Sequence, residues 1–155
     1  MRTAQKAESP EMACLILPLD DCDLLIPNDC VAEVMSWRRV KPASGLPRWC
    51  PGTLVWRNHT VAVVDFSVLS GFREQPRLNR RALVVVNRIA VRDGSAFYAF
   101  ACAGLPRVLR TSESELRDAP EAESRKGTLA AIQLGSDTAF IPDLRFIEDE
   151  VSRAF

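Results

Sequence analysis

Thr53-Leu-Val-Trp-Arg57-Asn58-His59-Thr60-Val-Ala-Val-Val-Asp65 holds two β-rich runs with two residues between them. That spacing selects a tight hairpin, with Asn58-His59 as the expected turn because asparagine tolerates positive φ. Upstream, residues 42–51 contain three prolines and Gly45, which enforce an irregular connector anchored by Leu46 and Trp49. Before it, Pro27-Asn28-Asp29 offers a helix start with Asn28 or Asp29 as cap. Val31, Val34 and Met35 then recur at i, i+3, i+4, which predicts a helix of two to three turns ending before Lys41-Pro42.

The N-terminal side predicts two short strands, residues 14–19 and 23–26, turning at Asp20-Asp21, with Pro18 hinting at a sheet edge. Residues 1–12 are polar and aperiodic, and read as a tail. Downstream of the hairpin, Asp65 can cap a short helix stopped by Gly71, and the polar stretch 73–81 reads as a linker between two lobes. Residues 82–86 form an unbroken apolar, β-branched run, expected as a strand buried on both faces. Asp93-Gly94 marks a turn, and residues 96–103 and 105–110 supply further strands. Residues 111–126 read as a solvated loop. Gly135-Ser136-Asp137 joins a last hairpin, and Leu144, Ile147, Val151 and Phe155 recur with helical spacing. Many short strands with small helices predict a mostly β fold, a sandwich or barrels. The lobes are expected at about 13–72 and 80–142, with a closing helix over 143–155.

Composition narrows the function. The 155 residues are 47% hydrophobic and 26% charged, an ordinary globular balance. Lysine plus arginine equals aspartate plus glutamate at 20 each, so no net field draws the chain to nucleic acid or to an anionic membrane. No stretch approaches the roughly 20 apolar residues of a spanning helix, which predicts a cytoplasmic protein without direct membrane insertion. The five cysteines lack a C-x-x-C pair and read as free thiols rather than disulfide or metal ligands.

Catalytic signals are missing. His59 is the single histidine and falls at the expected turn tip, with no serine or cysteine placed by sequence to act as its nucleophile. Asp20-Asp21 suits a turn. Phosphate-cradling, zinc-protease and hydrolase motifs do not occur. The arginines, among them Arg38, Arg39, Arg48, Arg57, Arg77, Arg80 and Arg81, are not interleaved with aromatics as a single-strand binder requires.

Val31-Ala-Glu33-Val34, Pro47, Gly52-Thr-Leu-Val-Trp-Arg57 and Val61-Ala-Val-Val-Asp65 together resemble the CheW family of chemosensory adaptors. The family pattern is V-x-E-[VI], a proline, G-V-x-x-L-R-G and V-P-V-V-D-L. It runs without a gap over residues 33–66. A weaker stretch, Ala103-Gly-Leu-Pro-Arg-Val-Leu-Arg110, is similar to the family's D-x-V-x-x-V-L region.

The resemblance implies two small SH3-like β-barrels packed together, no catalysis, no cofactor and no metal. It also implies two partners, a chemoreceptor of the methyl-accepting type and a CheA-type histidine kinase. Val31, Glu33 and Arg57 match family positions. The protein-binding set expected here is Val31, Glu33, Val34, Leu46, Trp49, Arg57 and Asn58. The three matched positions have plainer alternatives: Val31 as core, Glu33 as a solvated charge, Arg57 as an exposed strand end. Asn58 replaces the pattern's turn glycine, Ala62 its proline and Ala103 its acidic residue, departures that suggest a divergent adaptor of a pilus-motility or other alternative pathway. Two other functions stay open at this point: a regulatory or decoy subunit that binds one partner only, and a small-barrel nucleic-acid binder.

Overall fold

The computed structural model describes residues 10–76, 80–90, 96–119, 122 and 125–155. Its strands are β1 (Met12–Pro18), β2 (Asp23–Pro27), β3 (Val31–Ser36), β4 (Gly52–Trp56), β5 (His59–Val64), β6 (Ala82–Asn87), β7 (Phe97–Cys102), β8 (Arg107–Thr111), β9 (Arg117–Asp118), β10 (Thr128–Leu134) and β11 (Asp137–Pro142). The helices are α1 (Phe66–Leu69) and α2 (Leu144–Ala154), with a single 3-10 turn at Asn28–Cys30. One sheet runs β8-β1-β2-β11-β10-β9 and the other β3-β6-β7-β5-β4. The expected turn at Asp93-Gly94 and Arg77 of the linker lie outside the described residues.

The strand β6 shows why its run is apolar throughout. Leu83 and Val85 point into the interior of the five-stranded sheet with Leu54, Trp56, Val61 and Val63. Ala82, Val84 and Val86 point the other way, into a core shared with Leu15, Leu17, Leu24 and Ile26 of the six-stranded sheet. That second sheet has its own interior, built on Cys14, Ile16, Leu25, Ile132 and Ala139. Each sheet therefore curls around a small core, and a larger core joins the two. Helix α2 is capped by Asp143, whose side chain accepts from the Phe146 N–H at 3.2 Å, and it buries Ile147 and Val151 in the joint core. Burying each such side chain contributes about 1.5–3 kcal/mol.

Four expectations are corrected. Residues 31–36 form strand β3, not a helix, and neither Asn28 nor Asp29 caps anything, since the position before the short turn is Pro27. The cause is a β-bulge: Val31 pairs with Val86 and Val34 with Val84, while Glu33 pairs with Val85. One extra residue puts Val31 and Val34 on the same face, which imitates helical spacing. Next, Pro18 closes a strand inside its sheet rather than at an edge, because β1 lies between β8 and β2; as the last residue of the strand it withholds no ladder hydrogen bond that matters. The hairpin turns at Arg57-Asn58, one residue earlier than expected. Finally, the sheets do not divide the chain near residue 72: residues 31–102 build the five-stranded sheet, nested between the segments that build the other.

The two sheets also meet at a polar seam. Arg73 donates two hydrogen bonds to Asp21, at 2.9 and 3.1 Å, and pairs with Asp20 at 3.7 Å. Beside it, within the segment of the five-stranded sheet, Arg80 pairs with Asp65 at 3.5 Å. Asp65 caps α1, as expected, by accepting from the Val68 N–H at 3.3 Å. All five cysteines are free: Cys14, Cys50 and Cys102 are buried, while Cys22 and Cys30 are half-buried. Burial pushes the thiols of Cys22 and Cys102 up to about 12, so neither is a nucleophile at neutral pH.

Candidate protein-interaction site

The hairpin of β4 and β5 is set by two backbone devices. Arg57 and Asn58 both have positive φ, 46° and 64°, the geometry of a type I′ turn whose twist matches its strands. Gly52 begins β4 at φ 151°, and a Cβ there would lie 2.1 Å from the Lys41 carbonyl oxygen. Only glycine permits the close approach that lets Lys41 and Thr53 exchange two backbone hydrogen bonds, at 2.7 and 2.9 Å.

Strands β3 and β4 are the opposite edges of their sheet. Beyond the Lys41–Thr53 bridge, side chains close the gap between them. The indole N–H of Trp56 donates to Glu33 Oε2 at 2.5 Å, and Arg57 Nη2 lies 3.5 Å from Glu33 Oε1. The Arg57 guanidinium also stands over the Trp56 ring, 4.7 Å from its centroid. Arg38 donates to the Val55 carbonyl at 3.1 Å. Beneath this cover Trp56 meets Phe97 edge-on at 4.8 Å, and His59 meets Phe97 at 4.9 Å. His59 is thus the first residue of β5, opposite Trp56, and not a turn residue.

The expected residues do not all meet here. Glu33, Arg57 and Asn58 do, and Arg57 is 67% exposed. Val34 is exposed on the other face of β3, and Val31 lies half-buried against the joint core. Leu46 is likewise half-buried. Trp49 is only 8% exposed and packs in the joint core, its carbonyl accepting from the Asp65 N–H at 2.7 Å. Burial removes it from any exposed contact patch, so its part is the anchoring one. Trp56 went unnoticed in the sequence, although it stands where the family pattern has leucine and carries a donor that leucine lacks. Arg38 and Phe97 left no sequence signal.

Among the described residues no cluster of three His, Cys, Asp or Glu side chains could hold a metal, and no helix is long and apolar enough to cross a membrane. What the surface offers here is an oriented guanidinium, a carboxylate behind it and the exposed Val34 and Val55.

Compared with known families, residues 13–150 match the model of the CheW-like domain. The chain belongs to the CheW-like family. No curated protein sequence matches it. Among solved structures the CheW-like chain is similar to the scaffolding protein TtCheW from Thermoanaerobacter tengcongensis, with a TM-score of 0.70 at 12% identity, over 92% of this chain and 91% of that one. At that identity the likeness concerns the fold, and the two-sheet, mostly β architecture is the same. The CheW-like family is one of non-catalytic proteins, and as a member of it this chain is not an enzyme.

Proposed function

We propose that this CheW-like chain is a cytoplasmic adaptor that links the tips of methyl-accepting chemoreceptors to the regulatory domain of a CheA-type histidine kinase. The observation that carries this reading is the family match over residues 13–150, joined to a surface built for contact. Arg57 and Asn58 stand exposed at the tip of the hairpin, backed by Glu33, and Val34 is exposed separately, on the other face of edge strand β3. Val31 and Leu46 border the joint core and supply apolar area at the margin. Equal numbers of acidic and basic residues favour recognition by shape and local charge over capture by a long-range field. The departures at Asn58, Ala62 and Ala103 suit an adaptor of an alternative pathway, such as one governing pilus motility.

Reconstitution of receptor, kinase and this chain tests the reading. An adaptor raises kinase activity above that of receptor and kinase alone, and Val34→Asp or Arg57→Glu reduces the stimulation while the variants stay folded. A chain that binds one partner but stimulates nothing is a decoy subunit. If neither partner is bound, the proposal fails.

A further inference from the structure

An exposed ion pair between long side chains is usually loose, because two flexible groups in water gain little by staying together. The pair of Glu33 and Arg57 is built differently. Both carboxylate oxygens of Glu33 have partners: Oε2 accepts from the Trp56 indole and Oε1 faces Arg57. Trp56 itself is only 4% exposed, wedged against Phe97 and within 6.5 Å of His59, centroid to centroid. Its ring also lies under the guanidinium at 4.7 Å. One buried side chain therefore meets the acid by a hydrogen bond and the base by its π face.

We propose that Trp56 is the positioning residue of the adaptor surface. It fixes Glu33 in one orientation and sets the Arg57 guanidinium as the group shown to a partner, which complements it with a carboxylate. The family pattern has leucine at this place, which can pack but can neither donate to Glu33 nor attract a cation, so this chain has a rigid contact where the pattern specifies only an apolar residue. Preorganisation of this kind raises affinity by sparing the ordering of side chains on binding. The use of the surface rests on the adaptor reading; the rigidity does not.

Trp56→Phe and Trp56→Leu separate the two. Phenylalanine keeps the ring and most of the packing but loses the N–H; leucine, the family residue, loses both. In the free protein, the Arg57 side-chain N–H order parameter is expected to be high in the wild type and to fall below about 0.6, the flexible range, in Trp56→Leu. Glu33→Gln should also shift the Trp56 indole resonance. In binding to the kinase regulatory domain, Trp56→Phe is expected to weaken affinity about tenfold, the size of one hydrogen bond to a charged acceptor. Trp56→Leu and Arg57→Gln should weaken it further. An Arg57 side chain as ordered in Trp56→Leu as in the wild type overturns the proposal, as does wild-type affinity in both folded Trp56 variants. If the wild type binds no kinase domain, the adaptor reading falls, and the order parameters alone decide the role of Trp56.

Discussion

Arg88 and Glu148 meet inside the protein, their side chains 5% and 6% exposed, with Arg88 Nε 3.8 Å from Glu148 Oε1. The pair joins the segment after β6 to the middle of α2. Arg88 also donates to the Ser152 hydroxyl and to the Glu148 carbonyl, and Glu148 Oε1 accepts from the Ala90 N–H at 3.1 Å. Taking two charges out of water costs several kcal/mol each, and such a pair holds only while both partners are present. Glu148→Ala is therefore expected to cost about 3–5 kcal/mol by leaving a buried cation uncompensated. The double variant Arg88→Met with Glu148→Leu should lie close to the wild type. Urea unfolding of all three proteins checks this, and a double variant as unstable as the single one would refute it.

Gly52→Ala should be among the most damaging small substitutions. Its new methyl would sit 2.1 Å from a backbone oxygen that is hydrogen-bonded to Thr53, at a φ that side chains avoid. The expected loss is about 2–4 kcal/mol, read from the unfolding midpoint. Hydrogen exchange at the Lys41 and Thr53 amides should quicken in the same variant.

Asp65 makes stability depend on pH in an unusual direction. Burial raises its carboxyl above the ordinary 3.8, outweighing the Val68 N–H, Arg80, Arg73 and the Ser67 N–H, all of which pull it down. Between 3.8 and the raised value the folded state keeps a proton that the unfolded state has lost. This contribution to stability is therefore present at low pH and fades as pH rises through that window. Relative to Asp65→Asn, which can still cap α1, the wild type should lose stability on going from pH 3 upward. A carbon-13 titration of Asp65 above 3.8 would agree; one below it would not.

Asn58→Gly should strengthen the hairpin. Asn58 holds φ 64°, a left-handed conformation that glycine adopts with less strain. A gain of about 0.5–1 kcal/mol is expected, measured by thermal or urea unfolding, with the β4–β5 pairing unchanged.

Much of this fold is written in plain patterns. Residues 82–86 are apolar throughout because β6 faces a core on each side, and α2 shows its buried stripe at Ile147 and Val151. Strand β3 was illegible for a local reason: a bulge between Val31 and Glu33 breaks the alternation that marks a strand. The position of the hairpin turn was ambiguous for another. Turning at Arg57-Asn58 pairs Leu54 with Val61, whereas turning one residue later would pair Leu54 with Val63 and leave each of these side chains on the same face. Hydrophobic pattern cannot separate two registers that bury the same residues. At the site, Glu33 and Arg57 were legible through the family pattern. The indole that connects them depends on β3 and β4 curling toward each other, a tertiary fact with no spacing to announce it.

The nesting of one sheet's sequence, the inner segment 31–102, between the segments of the other sheet has a consequence for how the protein is made. All strands of the inner sheet have left the ribosome once residue 102 is free, while the outer sheet waits for β11, which ends at Pro142. An inner barrel closed early would present Ala82, Val84 and Val86 on its outer face with only part of their eventual cover, an adhesive surface during synthesis. Phe140, Ile147 and Val151, translated after it, then complete the cover, and a ribosome that stalls before them releases a chain prone to clumping rather than a smaller working protein.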